Sequence, residues 1–299
     1  MASIKDLKKR ITSTKNTQQT TKAMKMVSAA KLRRAQDAIT NQRPYARRIQ
    51  DLVKLLISTP GLSFKSPLIA QGEQEATLEG GKKALLVLIT SDRGLCAGFN
   101  GNIIKTAQRW LATNKANYSQ VELSFLGKKG YDYFKVRSIP QSTYYLELGG
   151  KVTFQKAKTF AEDLVKKFTS GEYQEIKIIF NEFRNAVTQE TKVEDFLPLK
   201  LNPTEVGNED SSRMFIVRPS AEEVLSDLLG KYFTIQAFRY MLDSQAGEHG
   251  ARMSAMENAT KNAEEMVRAL NLEYNKQRQA SITKELLEII SGSESQKAG

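Results

Sequence analysis

Residues 221–291 read AEEVLSDLLGKYFTIQAFRYMLDSQAGEHGARMSAMENATKNAEEMVRALNLEYNKQRQASITKELLEIIS. The run has no proline and keeps apolar residues at helical spacing, which predicts one helix of roughly 70 residues, about 105 Å at 1.5 Å per residue. A compact chain of 299 residues is only about 50 Å across. Such a helix must outrun any core the chain can build, so a shaft is expected. Pro219 blocks helix upstream, and Ser220 with Glu223 completes an S-x-x-E capping box. Ser291-Gly292 is the expected stop, because glycine tolerates the left-handed conformation at a helix end. Inside, His249, Met253, Met256, Thr260, Ala263, Val267, Leu270, Tyr274 and Gln277 follow a four-three alternation, the spacing of a seam against another helix. Gly230, Gly247 and Gly250 each weaken a helix interior, so bends are expected near them.

The partner is expected at the other end of the chain. Ser3 and Asp6 resemble a second capping box, and a seam starting at Ile4, Leu7 and Ile11 reads on through Met24, Val27, Leu32, Ala35 and Ile39. That helix should end before Pro60-Gly61, and Pro44 should kink or interrupt it. The expected organisation is an N-terminal coiled-coil helix over 1–59, an α/β domain over 82–200 and a C-terminal coiled-coil helix over 215–292.

Between Lys82 and Leu199 the pattern changes. Ala84 to Thr90, Val121 to Leu126 and Ile176 to Phe183 read as strands, with Asn102 to Ala112 and Thr153 to Phe168 as amphipathic helices. Thr191 to Leu199 reads as an antiparallel return. The fold class is α/β: a long antiparallel coiled coil of the two terminal helices with an inserted Rossmann-like domain built on a mostly parallel sheet. Residues 60–81 and 201–214 are polar connections and the expected mobile segments.

Composition narrows the function. The longest apolar run, Ala84 to Ile89, is far short of the roughly 20 residues that span a bilayer, so any membrane association is peripheral. A single cysteine, Cys96, makes no internal disulfide and supplies no zinc cluster. The net charge of +12 is concentrated in the first 54 residues. A basic helix of that kind can face solvent, nucleic acid, anionic lipid or an acidic protein, although single-strand stacking aromatics are missing before Tyr45.

The turn Ser91-Asp92-Arg93-Gly94-Leu95-Cys96-Ala97-Gly98 follows a strand and precedes a helix, where doubly wound folds bind nucleotides. Neither G-x-G-x-x-G nor G-x-x-x-x-G-K-[ST] can be written on its glycines, so a tight turn is the expected role, with Cys96 packing. His249 lies on the long helix and adjacent acids such as Glu264-Glu265 point about 100° apart, so no catalytic constellation is expected. Met24, Met26, Met253 and Met256 can pack a seam or form a soft binding surface.

Four stretches are specific enough to name a family. The opening Ile4-Lys5-Asp6-Leu7-Lys8-Lys9-Arg10-Ile11, the run from Asn16 to Lys31, the turn from Ser91 to Gly98 and the closing run from Tyr274 to Gly292 resemble, in this order, the gamma subunits of F-type rotary ATP synthases. The resemblance implies a non-catalytic central stalk. Its partners would be a hexamer of alpha and beta subunits, the epsilon subunit and the membrane c-ring, with no cofactor. It places the chain at the cytoplasmic face of a bacterial inner membrane. It also implies partner-binding roles: Arg278 and Gln279 on an acidic catch loop of a beta subunit, Lys22 and Met24 where the N-terminal helix passes that region, Ile282, Leu286 and Ile290 in an apolar sleeve, and Arg218 near the ring. Members often carry glutamate at the position of Arg218 and proline at that of Gly230. No cysteine pair lies between Leu199 and Phe215, and Met1-Ala2-Ser3 opens directly on the first motif, so a bacterial source is expected. A nucleic-acid-binding coiled coil and a nucleotide-binding α/β enzyme are the competing readings.

Overall fold

The computed structural model describes residues 3–58, 66–70, 81–137, 139–145, 151–186, 188–200, 218 and 220–297. In chain order these form α1 (Ile4–Ser58), β1 (Lys83–Ile89), α2 (Phe99–Asn114), β2 (Gln120–Leu126), α3 (Lys128–Phe134), β3 (Gln141–Tyr144), α4 (Phe154–Thr169), β4 (Glu175–Phe183), β5 (Gln189–Leu197) and α5 (Ala221–Lys297). The chain divides into two compact units, Ala29–Arg252 and Met1–Ser28 with Met253–Gly299.

In the first unit the sheet order is β3-β2-β1-β4-β5, parallel except for the antiparallel edge strand β5. Alternate residues of β1 serve two cores. Leu85, Val87 and Ile89 join α1, α4 and α5 residues such as Val53, Phe160 and Phe233 on one face. Ala84, Leu86 and Leu88 join Phe99, Ile103 and Phe134 on the other. A strand covered on both faces must be apolar at every position, which is why ALLVLI reads as an unbroken run. Between Phe233 and Arg252, α5 is buried on nearly every side, as a helix inside a core must be.

α3 and β3 are elements the sequence reading does not contain. α3 has seven residues and includes Gly130, and β3 has four, so neither is long enough to show periodicity. Gly127, at φ +105°, makes the turn from β2 into α3: a Cβ there would stand 2.0 Å from the Thr90 carbonyl oxygen.

In the second unit the first turns of α1 run beside α5 in antiparallel register. Lys25 Nζ bonds Glu257 at 3.0 Å, Thr260 Oγ1 donates to Thr21 Oγ1 at 2.8 Å, and Thr14 Oγ1 reaches Met266 Sδ at 3.9 Å, so partner numbers fall as α1 numbers rise. The α5 seam expected from His249 to Gln277 is the buried or half-buried row of that helix. On α1 the seam differs from the expectation. Val27 is 56 % exposed and Met26 58 %, whereas Thr21 and Ser28 are buried. The true row in this unit is Leu7, Ile11, Thr14, Gln18, Thr21, Lys25 and Ser28, a strict four-three alternation whose middle is polar.

Two helix boundaries also differ. Pro44 does not interrupt α1. It is exposed, so the carbonyl it deprives of a partner faces water, while buried Ile39 and Ile49 hold both flanks to the core. α5 runs through Ser291-Gly292 to Lys297, because a helical glycine costs only about 1 kcal/mol and nothing packs there to demand a turn. The start is as expected, with Ser220 Oγ accepting from Glu223 N at 3.2 Å. The expected mobile connections lie outside the described residues, apart from 66–70 and 81.

Candidate functional site

Order β3-β2-β1-β4 reverses its winding between β1 and β4, and the crevice beyond their carboxyl ends is where such sheets hold ligands. Here α5 fills it. Ser244 Oγ donates to the Ile89 carbonyl at 3.3 Å. A Cβ on Gly247 would meet Phe99, Gln189 and Asn181 within 4 Å, and one on Gly250 would stand 3.0 Å from the Ala186 carbonyl. Asn181 is itself consumed, donating to the Phe99 carbonyl at 3.1 Å and accepting from Thr191 at 2.6 Å. Gly247 and Gly250 are therefore points where α5 closely approaches its neighbours, and the space a dinucleotide needs holds a helix.

The neighbouring turn is held by many bonds. Leu95 and Ala97 both have positive φ, +62° and +47°, which side chains adopt only when their surroundings over-determine the backbone. Asn100 and Ser91 exchange hydrogen bonds at 2.8–3.1 Å, Ser91 Oγ donates to the Arg93 carbonyl at 2.6 Å, and Lys128 N donates to Asp92 Oδ1 at 3.1 Å. Cys96 is buried, taking a contact from Asn100 Nδ2 at 3.2 Å, which is the expected packing role. From α5, buried Arg252 donates to the Gly94 carbonyl at 3.2 Å and the Arg93 carbonyl at 3.3 Å while pairing with Glu248 at 2.7 Å. Sequence reading missed Arg252, since nothing along the chain distinguishes a buried arginine from a solvated one. The turn leaves Leu95 64 % exposed on a fixed base.

Burial governs the titratable groups beside it. It pulls His249 down to about 4, helped by the Arg252 and Lys31 charges, so this ring is neutral at pH 7 and packed. Burial also raises Glu248, against the pull of Arg252, and pushes Asp243 up to about 6.

The residues expected to bind partners are mostly outward. Lys22, Arg278, Gln279, Ile282, Leu286 and Ile290 are exposed, Met24 is half-buried, and Arg218 is exposed at the edge of the described residues. The structure does not bring Met24 to Arg278 and Gln279. Lys25, beside Met24, pairs with Glu257, and Arg278 lies 21 residues further on, about 30 Å along the axis. Extrapolating the register puts Gln277 level with Ile4, so α5 beyond that point has no α1 residue beside it. From Ile282 to Gly292 every residue is exposed, including Leu287 and Ile289.

Two long helices paired in antiparallel register, and an α/β unit whose crevice between β1 and β4 is filled by α5, define the class as a doubly wound α/β protein with a helical stalk. The family model described as ATP synthase matches residues 3–295. Curated relatives include the ATP synthase gamma chains of Bdellovibrio bacteriovorus, 45 % identical over 99 % of this chain and 100 % of that one, and of Geobacter metallireducens, 44 % identical with the same coverage. The chain belongs to the ATP synthase gamma-chain family. Among solved structures, the central stalk and c-ring assembly of Tetrahymena thermophila mitochondrial ATP synthase aligns with TM-score 0.56 at 25 % identity, covering 80 % of this chain and 98 % of that one. A chain of the Euglena gracilis enzyme gives TM-score 0.64 at 21 % identity, covering 99 % and 95 %, and supports the fold.

Proposed function

We propose that the chain is the central-stalk rotor subunit of a proton-translocating ATP synthase, carrying ring rotation to catalytic sites on partner beta subunits. ATP is made from ADP and phosphate there, and this chain supplies no catalytic group. The observation that carries the reading is the α5 end beyond Gln277: exposed Ile282, Leu286, Leu287, Ile289 and Ile290 with no α1 residue alongside. Apolar contact is non-directional, so such an end can turn inside an apolar sleeve without losing hydrogen bonds at each step. The alpha–beta hexamer supplies that sleeve.

Arg278 and Gln279 act as a polar latch on an acidic loop of a beta subunit. A charge-assisted bond there resists rotation by a few kcal/mol at most. Lys22 and Met24 contact the hexamer at a lower level than the latch, as their distance along the shaft requires. The α/β region, residues 82–200, is the foot between the helical segments 1–59 and 215–292, and it faces the epsilon subunit and the c-ring, with Arg218 toward the ring. No helix among the described residues is long and apolar enough to cross a membrane. The site of action is the cytoplasmic face of the bacterial inner membrane, held peripherally through the ring.

Reconstitution with alpha and beta subunits tests this. ATPase activity should depend on the chain and should stop when a crosslink fixes it to one beta subunit; activity that is independent of the chain, or that survives the crosslink, overturns the reading. The purified chain alone should neither hydrolyse ATP nor bind DNA at physiological salt.

A further inference from the structure

In the unit Ala29–Arg252, helix α1 carries a second four-three row beside its buried seam. Ala35, Ile39, Gln42, Ala46, Ile49 and Val53 form the inner row, and Arg34, Ala38, Asn41, Tyr45, Arg48 and Leu52 the outer one. The outer row borders a surface groove of about 320 Å³, walled by Tyr45, by Phe154 at the start of α4 and by Phe238 of α5, with Ala38, Asn41 and Ile235 also lining it. The groove is preformed. Gln42 Nε2 donates to the Ile235 carbonyl at 3.2 Å, and Phe154 packs edge-on against Phe238 at 5.7 Å. Yet Tyr45 and Phe154 are 51 % and 47 % exposed, and Leu52 continues the apolar row at 38 %. An apolar surface grouped in this way marks an interaction site.

Two features identify the occupant. The four-three spacing is that of a helix lying along α1. The exposed cations Arg34 and Arg48 bracket the groove one turn beyond its ends, and the outer row contains no carboxylate; Asp37 and Asp51 stand on the adjacent flank. We infer that the groove docks one acidic amphipathic helix of a partner polypeptide, seating a large apolar side chain over Ala38 and Asn41 and placing carboxylates on Arg34 and Arg48. The two arginines are about 21 Å apart along α1, so the partner carries acids about fourteen residues apart with the apolar residue midway. The proposal rests on the rotor reading only in taking that partner from the same assembly.

A photo-crosslinker at the groove tests it in two arms. In an assembly reconstituted from alpha, beta and epsilon subunits and Tyr45→p-benzoylphenylalanine chain, irradiation should give adducts on an acidic helical segment of a partner subunit. The Arg34→Glu/Arg48→Glu variant should lower their yield about tenfold, equivalent to about 1.4 kcal/mol, and a crosslinker at Arg109 on α2 should not give them. Adducts confined to a second copy of this chain, to lipid, or absent from an otherwise active assembly overturn the groove proposal while leaving the rotor reading intact. An assembly that excludes the chain overturns the rotor reading, and the second arm then decides the groove alone. A synthetic helix with glutamates about fourteen residues apart and a midway leucine should bind the purified chain, with about tenfold loss in the arginine-reversed variant. Equal binding of the same helix with lysines in place of the glutamates, or no binding, overturns it.

Discussion

The same helix lives in two environments, and the contrast separates what anchors this molecule from what it presents. Between Phe233 and Arg252, α5 is enclosed by a sheet, α1 and the turn at Ser91–Gly98, with nearly every side chain buried. From Met253 onward burial narrows to one side, where Thr260 bonds Thr21 and Glu257 bonds Lys25 of α1, and from Ile282 to Gly292 every residue is exposed. The first segment is held by shape and apolar area, so it fixes the α/β unit to the helix rigidly. The second is held by a thin, partly polar seam and leaves its surface to others. A protein that transmits torque needs both.

Substitutions should divide along this line. The largest effect is expected at Phe233, which is fully buried against Phe196 and Tyr232: Phe233→Ala should destabilise by about 3–5 kcal/mol in denaturant unfolding. A loss as small as that of a surface site would erase the distinction between the segments. Arg252→Ala should follow at about 3 kcal/mol, since it strands buried Glu248 and frees two turn carbonyls. Limited proteolysis should then cut first within residues 91–98.

Acid titration sharpens the same point. His249 sits at about 4 when folded and ordinarily at 6.5, so the unfolded chain takes up its proton first and stability falls as pH drops from about 6.5 to 4. Asp243, at about 6 against an ordinary 3.8, does the reverse and adds stability as pH falls through 6. His249→Gln should therefore flatten the acid loss of Tm and Asp243→Asn should steepen it, each by an amount of order 2 kcal/mol between pH 6.5 and 4.5.

The thin seam should yield smaller numbers. A double-mutant cycle on Thr21→Val and Thr260→Val should show a coupling of about 1 kcal/mol, read from thermal unfolding. Leu286→Ala with Ile290→Ala should change stability by less than about 0.5 kcal/mol, while altering ATPase coupling in the reconstituted assembly. A large stability loss there would mean that the end has an intramolecular partner.

How much was legible from sequence depended on how local its cause was. β1, α2 and α4 were readable because each element's own periodicity is imposed by the faces it covers. α3 and β3 were not, since they are shorter than the period needed to see them. On α1 the apolar residues Met24 and Val27 stand one position off the unbroken four-three spacing through Thr21, Lys25 and Ser28, so the spacing and not the hydrophobicity marks the covered row. Of the residues proposed to bind partners, Arg278, Gln279 and Ile282 are exposed, and the separation of Met24 from their level is set by the register between α1 and α5.

The two long helices, the α/β insertion between them and the lack of a phosphate-binding glycine pattern are written in the chain itself, because they follow from period, caps and motif spacing. Folding settles the rest: α5 occupies the crevice between β1 and β4, Arg252 clips the Ser91–Gly98 turn, and α1 has a polar inner seam and a second, outward row. Those depend on which residues meet across more than a hundred positions, and a buried contact between distant segments leaves no periodic trace in either of them.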